Sequence, residues 1–224
     1  FLCVETRGAA VSAAPFVLQG NVQMKYAVKV CGVKNAAFAR EATRKGVSCL
    51  GFIFAPASPR FLAPAEAREI AAKLPRTVKR VGVFTDHPVE EILSVARLVG
   101  LDIIQLHGSY GAEDVAALKA SGYGVWLLDD GATPPNPAGA DALLVDGRKG
   151  NRTGGTGCLA DWSRVAVLKN QGIRVVLAGG LGPENVVAAA RTGADILDLN
   201  GKLETAPGEK SLALLDAALA RLRE

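Results

Sequence analysis

From residue 27 onward, short and almost continuously apolar segments recur along the chain and are separated by segments of a different period. Eight such segments can be read: "AVKVCG", "VSCLGFIF", "VKRVGVF", "LDIIQLHG", "YGVWLLD", "DALLVDG", "IRVVLAGG" and "ADILDLNG". Apolar runs of this length are typical of strands that are buried on both faces, as in parallel sheets. The pattern therefore predicts eight parallel strands.

Segments rich in alanine and leucine, with charges on one side and a glycine or proline at the end, lie between most of these strands. Such segments are typical of helices, and their alternation with buried strands indicates βαβ units. The connection between the fifth and sixth strands differs, because "DGATPPNPAGA" holds three prolines, which cannot propagate a helix. We therefore expect the fifth helix to be short or missing.

Eight successive strands predict an α/β fold of the (β/α)8 class, a TIM barrel, formed by a single domain over residues 24–224. An open doubly wound sheet is the alternative, but such a sheet rarely needs eight consecutive strands. The first 23 residues show no clear period, and we interpret residues 1–23 as a leader outside the domain. A secretory signal peptide is the alternative for this segment.

Charge and cysteine content narrow the classes of ligand. The net charge of +4 is spread along the chain without a basic run, which fits a small anionic ligand better than a nucleic acid. No apolar run reaches the roughly 18 residues of a membrane helix. The four cysteines lie far apart, with no spacing typical of a zinc site, so we expect no metal and free thiols in a cytoplasmic protein.

Three glycine-containing loops follow the sixth, seventh and eighth predicted strands. In barrel enzymes the carboxyl ends of the strands carry the site, and phosphate binds near the last strands. Backbone N–H groups exposed in glycine loops suit phosphate oxygens, although each glycine taken singly is also compatible with a tight turn. The loops predict a phosphate site composed of Gly154, Gly155, Gly157, Gly179, Gly180, Asn200 and Gly201.

Two strand ends carry residues suited to proton transfer. Cys31 ends the first strand, and Lys29 points the same way, so we expect the lysine to favour the thiolate and to lower the pKa of Cys31. Asp146 ends the sixth strand, where shielding from water favours the protonated form that can donate a proton. An inert packed thiol and a turn-capping carboxylate are the alternatives.

Three more polar residues near strand ends are candidates for substrate binding. Arg60 lies in "PASPR", where prolines stiffen a loop that could aim the guanidinium at a carboxylate, and a solvated loop arginine is the alternative. Gln105 and His107 share one face of the fourth strand. We assign both to ligand contacts and expect no direct catalytic role for His107.

The motifs "KVCGVKN", "GFIFAPASPRF", "VGVF", "IQLHG", "LLVDGRKGNRTGGTGCLADW" and "LAGGLGPENV", in this order, resemble phosphoribosylanthranilate isomerase of tryptophan biosynthesis. The resemblance spans about residues 26–222. It implies a cofactor-free Amadori rearrangement of N-(5-phosphoribosyl)anthranilate to 1-(2-carboxyphenylamino)-1-deoxyribulose 5-phosphate, the third step of tryptophan synthesis from chorismate. The enzyme is then an aldose–ketose isomerase, acting as a monomer or homodimer.

The resemblance also implies roles for individual residues. Asp146 corresponds to the general acid that opens the furanose ring, and Cys31 to the general base that removes the C2 proton. Arg60 corresponds to the arginine near the anthranilate carboxylate, and Asp198 is kept in the motif after the eighth strand and is assigned to substrate binding. The glycine loops correspond to the phosphate site.

The chain departs from the family pattern at its carboxyl-terminal motifs. It has "DLNGKLE" in place of "DVSSGVE", and "PGEKS", with Ser211, where "PGxKD" is common. Two alternatives therefore accompany the isomerase hypothesis: a related phosphate-binding barrel that acts on another sugar phosphate, and a barrel that binds ligand without turnover. Cys31 on the first strand argues against the first alternative.

Overall fold

Eight parallel strands close into a barrel in the computed structural model, which describes residues 26–147 and 161–224. Each strand pairs with its neighbours in chain order, and β1 pairs with β8 to complete the ring. The strands are β1 (Ala27–Val30), β2 (Cys49–Ile53), β3 (Lys79–Phe84), β4 (Ile103–Leu106), β5 (Gly124–Leu128), β6 (Ala142–Val145), β7 (Val175–Leu177) and β8 (Ile196–Leu199). The predicted barrel is confirmed.

Seven α-helices surround the barrel in the described part of the chain: α1 (Ala36–Arg44), α2 (Pro64–Ala71), α3 (Val89–Val99), α4 (Ala112–Ala120), α5 (Ser163–Asn170), α6 (Val186–Ala190) and α7 (Leu212–Arg223). No helix lies between β5 and β6, so the expectation from the three prolines is confirmed. Within residues 26–147 and 161–224, none of the helices has the length and apolar character needed to cross a membrane.

Local sequence determines where several helices begin and end. Asn35 caps α1 by accepting hydrogen bonds from two backbone N–H groups of the first turn, at 2.8 and 3.1 Å. Gly100 ends α3 in the left-handed conformation that glycine adopts without strain. Ser211, one of the departures from the family pattern, caps α7 by accepting the N–H of Leu214. Ser211 therefore caps the helix, as the aspartate of the family motif could also do.

A short 3-10 helix (Gly201–Leu203) and a two-stranded antiparallel hairpin follow β8, and the sequence patterns did not predict them. The hairpin consists of β9 (Glu204–Ala206) and β10 (Glu209–Lys210). It lies between the last barrel strand and α7, beside the carboxyl ends of the strands. Its two charged residues that face inward become part of the site described below.

The apolar core has two main layers. The larger layer packs the outer faces of the strands against the helices, as in Leu50, Ile104 and Leu118. The smaller layer fills the interior of the barrel with residues from alternate strand positions, including Val81, Trp126, Leu144, Val176 and Ile196. Because the interior is packed with side chains, the open space of the barrel lies above this layer, at one end.

At the opposite, amino-terminal end of the barrel, three aspartate side chains connect neighbouring strands by hydrogen bonds. Each lies just before a strand and accepts a hydrogen bond of 2.7 to 2.8 Å from a backbone N–H near the start of a neighbouring strand; they are Asp102, Asp141 and Asp195. Lys119 and Lys169 pair with two of the three carboxylates. These contacts stabilise the closed ring and leave the carboxyl-terminal end for chemistry.

Candidate active site

A cavity of about 1020 Å³ lies at the carboxyl ends of the strands. It is lined by every predicted site residue that the structure describes: Cys31, Arg60, Gln105, His107, Asp146, Gly179, Gly180, Asp198, Asn200 and Gly201. The other predicted phosphate-binding residues, Gly154, Gly155 and Gly157, lie outside the described residues. The barrel therefore brings together residues that are far apart in the sequence.

A buried ion pair lies at the floor of this cavity. Lys29 on β1 and Asp198 on β8 are direct partners in the strand register, and the Lys29 Nζ lies 2.5 Å from the Asp198 Oδ2. Lys29 is fully buried and Asp198 is 5% exposed. Burial acts to lower the pKa of Lys29, but the attraction and hydrogen bond of Asp198, together with Cys31, outweigh burial, so the net pKa is raised and the lysine stays charged.

Cys31 lies at the end of β1, directly above this ion pair, with a buried side chain that lines the cavity. Burial raises the pKa of the thiol; Lys29 opposes this change, and Asp198 adds to it. Lys29 therefore acts on the thiol in the expected direction, but the expected net lowering of the Cys31 pKa is wrong for the ligand-free protein, because burial of the thiol outweighs the lysine and Asp198 adds to burial. Cys31 and Cys49 are both free thiols.

Gly51 on β2 makes the space that Cys31 and Lys29 occupy. A Cβ atom at this position would lie 2.9 Å from the Cys31 Sγ and 3.2 Å from the Lys29 Cε. Contacts this close between a Cβ and a fixed neighbour require one of the groups to move. The missing side chain at Gly51 therefore helps to position the Cys31 thiol and the buried Lys29 ammonium.

Arg60 forms an ion pair with Glu204 on β9. The Arg60 Nε and Nη2 donate to the two carboxylate oxygens of Glu204, at 2.8 and 2.7 Å. Lys210 on β10 donates to Glu204 as well and to the Asn200 Oδ1, at 2.8 Å for the latter. Gly32, at φ +71°, lets the Arg60 side chain pass, since a Cβ there would lie 2.9 Å from the Arg60 Cδ.

Asp146 follows β6 on another side of the same cavity. Its Oδ2 lies 3.4 Å from the Nε2 of His107, and both side chains are less than a tenth exposed. A Cβ atom at Gly179, which has φ +87°, would lie 2.9 Å from the Asp146 Oδ1 and 2.4 Å from the backbone N of Gly147. The glycine after β7 therefore leaves room for the carboxyl group, a role beyond the phosphate contact that the sequence predicts.

Two buried oxygens of the cavity lining have no hydrogen-bond partner within residues 26–147 and 161–224: the Gln105 Oε1 and the Asp198 Oδ1. Both residues are at most 5% exposed. Buried acceptors without partners are rare in folded proteins and are typical of sites that receive a ligand donor. They suit hydroxyl groups of a polar ligand.

Sequence reasoning missed Glu204 and Lys210. Both side chains are at most 4% exposed, although charged residues are rarely buried. The available signal was the segment "LETAPGEK", which places a proline–glycine turn between two charged residues and is compatible with a hairpin. The pairing with Arg60 spans 144 residues of chain and has no local sequence signal.

Comparison with known proteins identifies the family of the chain. The family model described as N-(5'phosphoribosyl)anthranilate (PRA) isomerase matches residues 28–221. N-(5'-phosphoribosyl)anthranilate isomerase from Rubrobacter xylanophilus is 41% identical over 191 residues, which cover 82% of this chain and 92% of the relative.

Solved structures give the same result. Phosphoribosyl anthranilate isomerase from Thermus thermophilus superimposes with a TM-score of 0.80 at 38% identity, covering 88% of this chain and 98% of that one. A phosphoribosyl anthranilate isomerase in complex with reduced 1-(o-carboxyphenylamino)-1-deoxyribulose 5-phosphate superimposes with a TM-score of 0.78 at 30% identity, with the same coverage. The chain therefore belongs to the phosphoribosylanthranilate isomerase family and is an aldose–ketose isomerase of tryptophan biosynthesis.

Proposed function

We propose that this enzyme rearranges N-(5-phosphoribosyl)anthranilate with Asp146 as the general acid and Cys31 as the general base. The observation that carries the proposal is that both side chains, from strands that are not neighbours, line a single cavity. A proton donor and a proton acceptor that face one bound substrate can act on two different atoms of it. The reaction needs no electron transfer, so two proton-transfer groups are sufficient.

In the first step, the Asp146 carboxyl group protonates the furanose ring oxygen. The bond between that oxygen and C1 breaks as the nitrogen lone pair forms a C1–N double bond, which gives a protonated Schiff base. Asp146 is left as a carboxylate. The Nε2 of His107 lies 3.4 Å from the Asp146 Oδ2, which supports a positioning role for the histidine beside the carboxyl group.

In the second step, the Cys31 thiolate removes the proton from C2. The electrons of the C2–H bond form a C1–C2 double bond, and the electrons of the C–N double bond return to nitrogen, which gives the enolamine. Cys31 becomes a thiol. Tautomerisation then moves a proton from the C2 hydroxyl to C1 and yields the ketone. Because burial raises the pKa of Cys31, the step depends on cations near the sulfur that stabilise the thiolate.

Both ends of the proposed substrate are anionic, and the cavity has a matching group for each. The backbone amides around Gly179, Gly180, Asn200 and Gly201 lie at the end of the barrel where phosphate binds in related folds. Arg60, which lines the cavity, is proposed for the anthranilate carboxylate. It would then share its guanidinium between that carboxylate and Glu204, since an arginine offers five N–H donors.

Gln105 and Asp198 are proposed to bind the hydroxyl groups of the sugar. The support is the pair of buried acceptor atoms that lack protein partners in the described residues. A hydroxyl donor there would satisfy an atom that otherwise carries a desolvation penalty of about 1–3 kcal/mol. Binding of the open-chain sugar is thereby coupled to removal of that penalty.

Single and double variants test the assignment of acid and base. We expect Cys31→Ala and Asp146→Asn each to lower kcat by about 10²–10⁴ with little change in thermal unfolding. The double variant is expected to lose far less than the product of the two factors, because the residues act in one sequence. Fluorescence decay of N-(5-phosphoribosyl)anthranilate measures turnover. Turnover of either single variant at the wild-type rate would overturn its assigned role.

The domain limits and the assembly state are also proposals. The barrel over residues 24–224 is proposed to fold and act without residues 1–23, and the support is that the family model begins at residue 28. The groups of the proposed site that lie within the described residues come from one chain, so the chemistry is compatible with a monomer or a homodimer in the cytoplasm. Turnover of a protein that lacks residues 1–23 tests the domain limits and is expected to be unchanged. Light scattering of the purified protein tests the assembly state.

A further inference from the structure

The floor of the cavity holds more positive than negative charge. Around Cys31 the described residues place three buried or nearly buried cations and two carboxylates: Lys29, Arg60, Lys210, Asp198 and Glu204. The side chains are between 0 and 11% exposed, so water screens their charges only weakly. With a neutral Cys31 thiol the group carries a net charge of +1, and with the thiolate it is neutral.

The two lysines of this group are compensated differently. Lys29 pairs directly with Asp198, with 2.5 Å between the charged atoms, and Lys210 acts on Asp198 only without a direct contact. Lys210 shares a single carboxylate, that of Glu204, with the bidentate Arg60. Its other partners are the neutral backbone and side-chain oxygens of Asn200, at 3.3 and 2.8 Å. The unbalanced positive charge therefore belongs to Lys210 and Arg60 rather than to Lys29.

Within residues 26–147 and 161–224, the side chains clustered with Cys31 are apolar. The thiol packs in a small apolar cluster with three side chains from β2, β3 and the loop after β2: Ile53, Ala55 and Val83. Asp146 after β6 and His107 after β4 lie beside each other in the same cavity, 3.4 Å apart. Among the described residues, Lys29 acts most strongly on the sulfur and also hydrogen-bonds it, Asp198 and Lys210 follow, and Arg60 acts more weakly.

We propose that Lys210 is a positioning residue that, together with Lys29, makes Cys31 a base, because it holds positive charge that the Cys31 thiolate neutralises. Lys210 does not line the cavity, and its ammonium lies behind Glu204 and Asn200. It therefore acts through the sulfur instead of touching substrate. Burial lowers the pKa of Lys210 and Glu204 opposes this, which agrees with an ammonium that is short of negative charge.

The inference rests on the proposed role of Cys31 as base, and a measurement on the ligand-free protein tests it without turnover. Alkylation of Cys31 by iodoacetamide is followed against pH by mass spectrometry of the peptide that contains it. Only the thiolate reacts, so the rate reports its population. Removal of one unit charge near a thiol shifts its pKa by about one unit, so we expect Lys210→Met to react about tenfold more slowly at neutral pH.

Variants of matched and opposite charge separate the electrostatic effect from a structural one. Lys210→Arg keeps the charge and is expected to keep the wild-type profile. Glu204→Gln adds one unit of net positive charge and is expected to move the profile to lower pH. Lys34→Met removes an exposed lysine from the loop that approaches the same hairpin, and it is expected to change nothing. Far-UV circular dichroism establishes that each variant is folded.

Two results would overturn the inference. One is a Lys210→Met profile that superimposes on the wild type while Lys29→Met shifts it, which would return the role to Lys29. The other is a shift in the same direction for Lys210→Met and Glu204→Gln, which would indicate loss of structure. If alkylation slows in Lys210→Met but kcat is unchanged, the electrostatic inference holds and the base role of Cys31 fails, so the two proposals are distinguishable.

Discussion

The buried ion pair of Lys29 and Asp198 allows the effect of its removal on the free energy of unfolding to be predicted. Two unit charges 2.5 Å apart attract each other by about 7 kcal/mol at an effective dielectric constant of about 20. This attraction offsets a desolvation penalty of several kcal/mol for each ion. Removing one partner leaves the other charge buried without compensation, whereas removing both leaves no charge to solvate.

We therefore expect Lys29→Met and Asp198→Asn each to lower the free energy of unfolding by about 3–5 kcal/mol, and the double variant to lose only about 0–2 kcal/mol. Urea unfolding followed by circular dichroism and by tryptophan fluorescence gives the three values. The coupling free energy between the two positions is then at least about 3 kcal/mol. Additive losses, or single-variant losses below about 1 kcal/mol, would refute a buried and tightly coupled ion pair.

The other predictions concern single positions. Burial raises the pKa of Cys49 to about 12, against about 8.5 in an unfolded chain, so the folded state keeps a proton that the unfolded state loses. Stability relative to Cys49→Ala is expected to fall above pH 8.5 by about 1.4 kcal/mol per pH unit in thermal or urea unfolding. Gly179→Ala is expected to lower kcat/KM at least about tenfold, because the added Cβ crowds the proposed acid, Asp146. Gly122→Ala is the control: Gly122 has a similar φ, but a Cβ there would have no atom within 4 Å, so this variant is expected to affect only stability. Gly51→Ala is expected to lower kcat and to slow alkylation of Cys31, which it crowds at 2.9 Å; an unchanged kcat in either crowding variant would contradict the packing described.

Much of the fold was predictable because it depends on short-range pattern. Continuous apolar runs identify the strands, and three prolines in one connection account for the missing helix between β5 and β6. Once the strands are ordered in a barrel, the residues at their carboxyl ends fall on one rim. For this reason Cys31, Asp146 and Gln105 could be assigned to a common cavity from the sequence alone.

The charges beneath the rim could not be predicted, because they depend on strand register and on contacts between distant segments. The sequence places Lys29 beside Cys31, but only the pairing of β1 with β8 brings in Asp198, 169 residues away, which neutralises the lysine. Likewise, the segment after β8 gives a weak hairpin signal, and nothing local indicates that Glu204 reaches Arg60. The expected net pKa of Cys31 was wrong mainly because the fold buries the thiol, and Asp198 adds to that effect.

A crystal structure of this protein with reduced 1-(o-carboxyphenylamino)-1-deoxyribulose 5-phosphate tests the central claim most directly. We expect the open-chain sugar to lie between the two groups, with the Asp146 carboxyl group within about 2.6–3.2 Å of the oxygen that derives from the ring. The Cys31 sulfur is expected to face C2, and the phosphate to lie at Gly179, Gly180 and Gly201. A sugar bound with neither Cys31 nor Asp146 in contact with the reacting atoms would contradict the account.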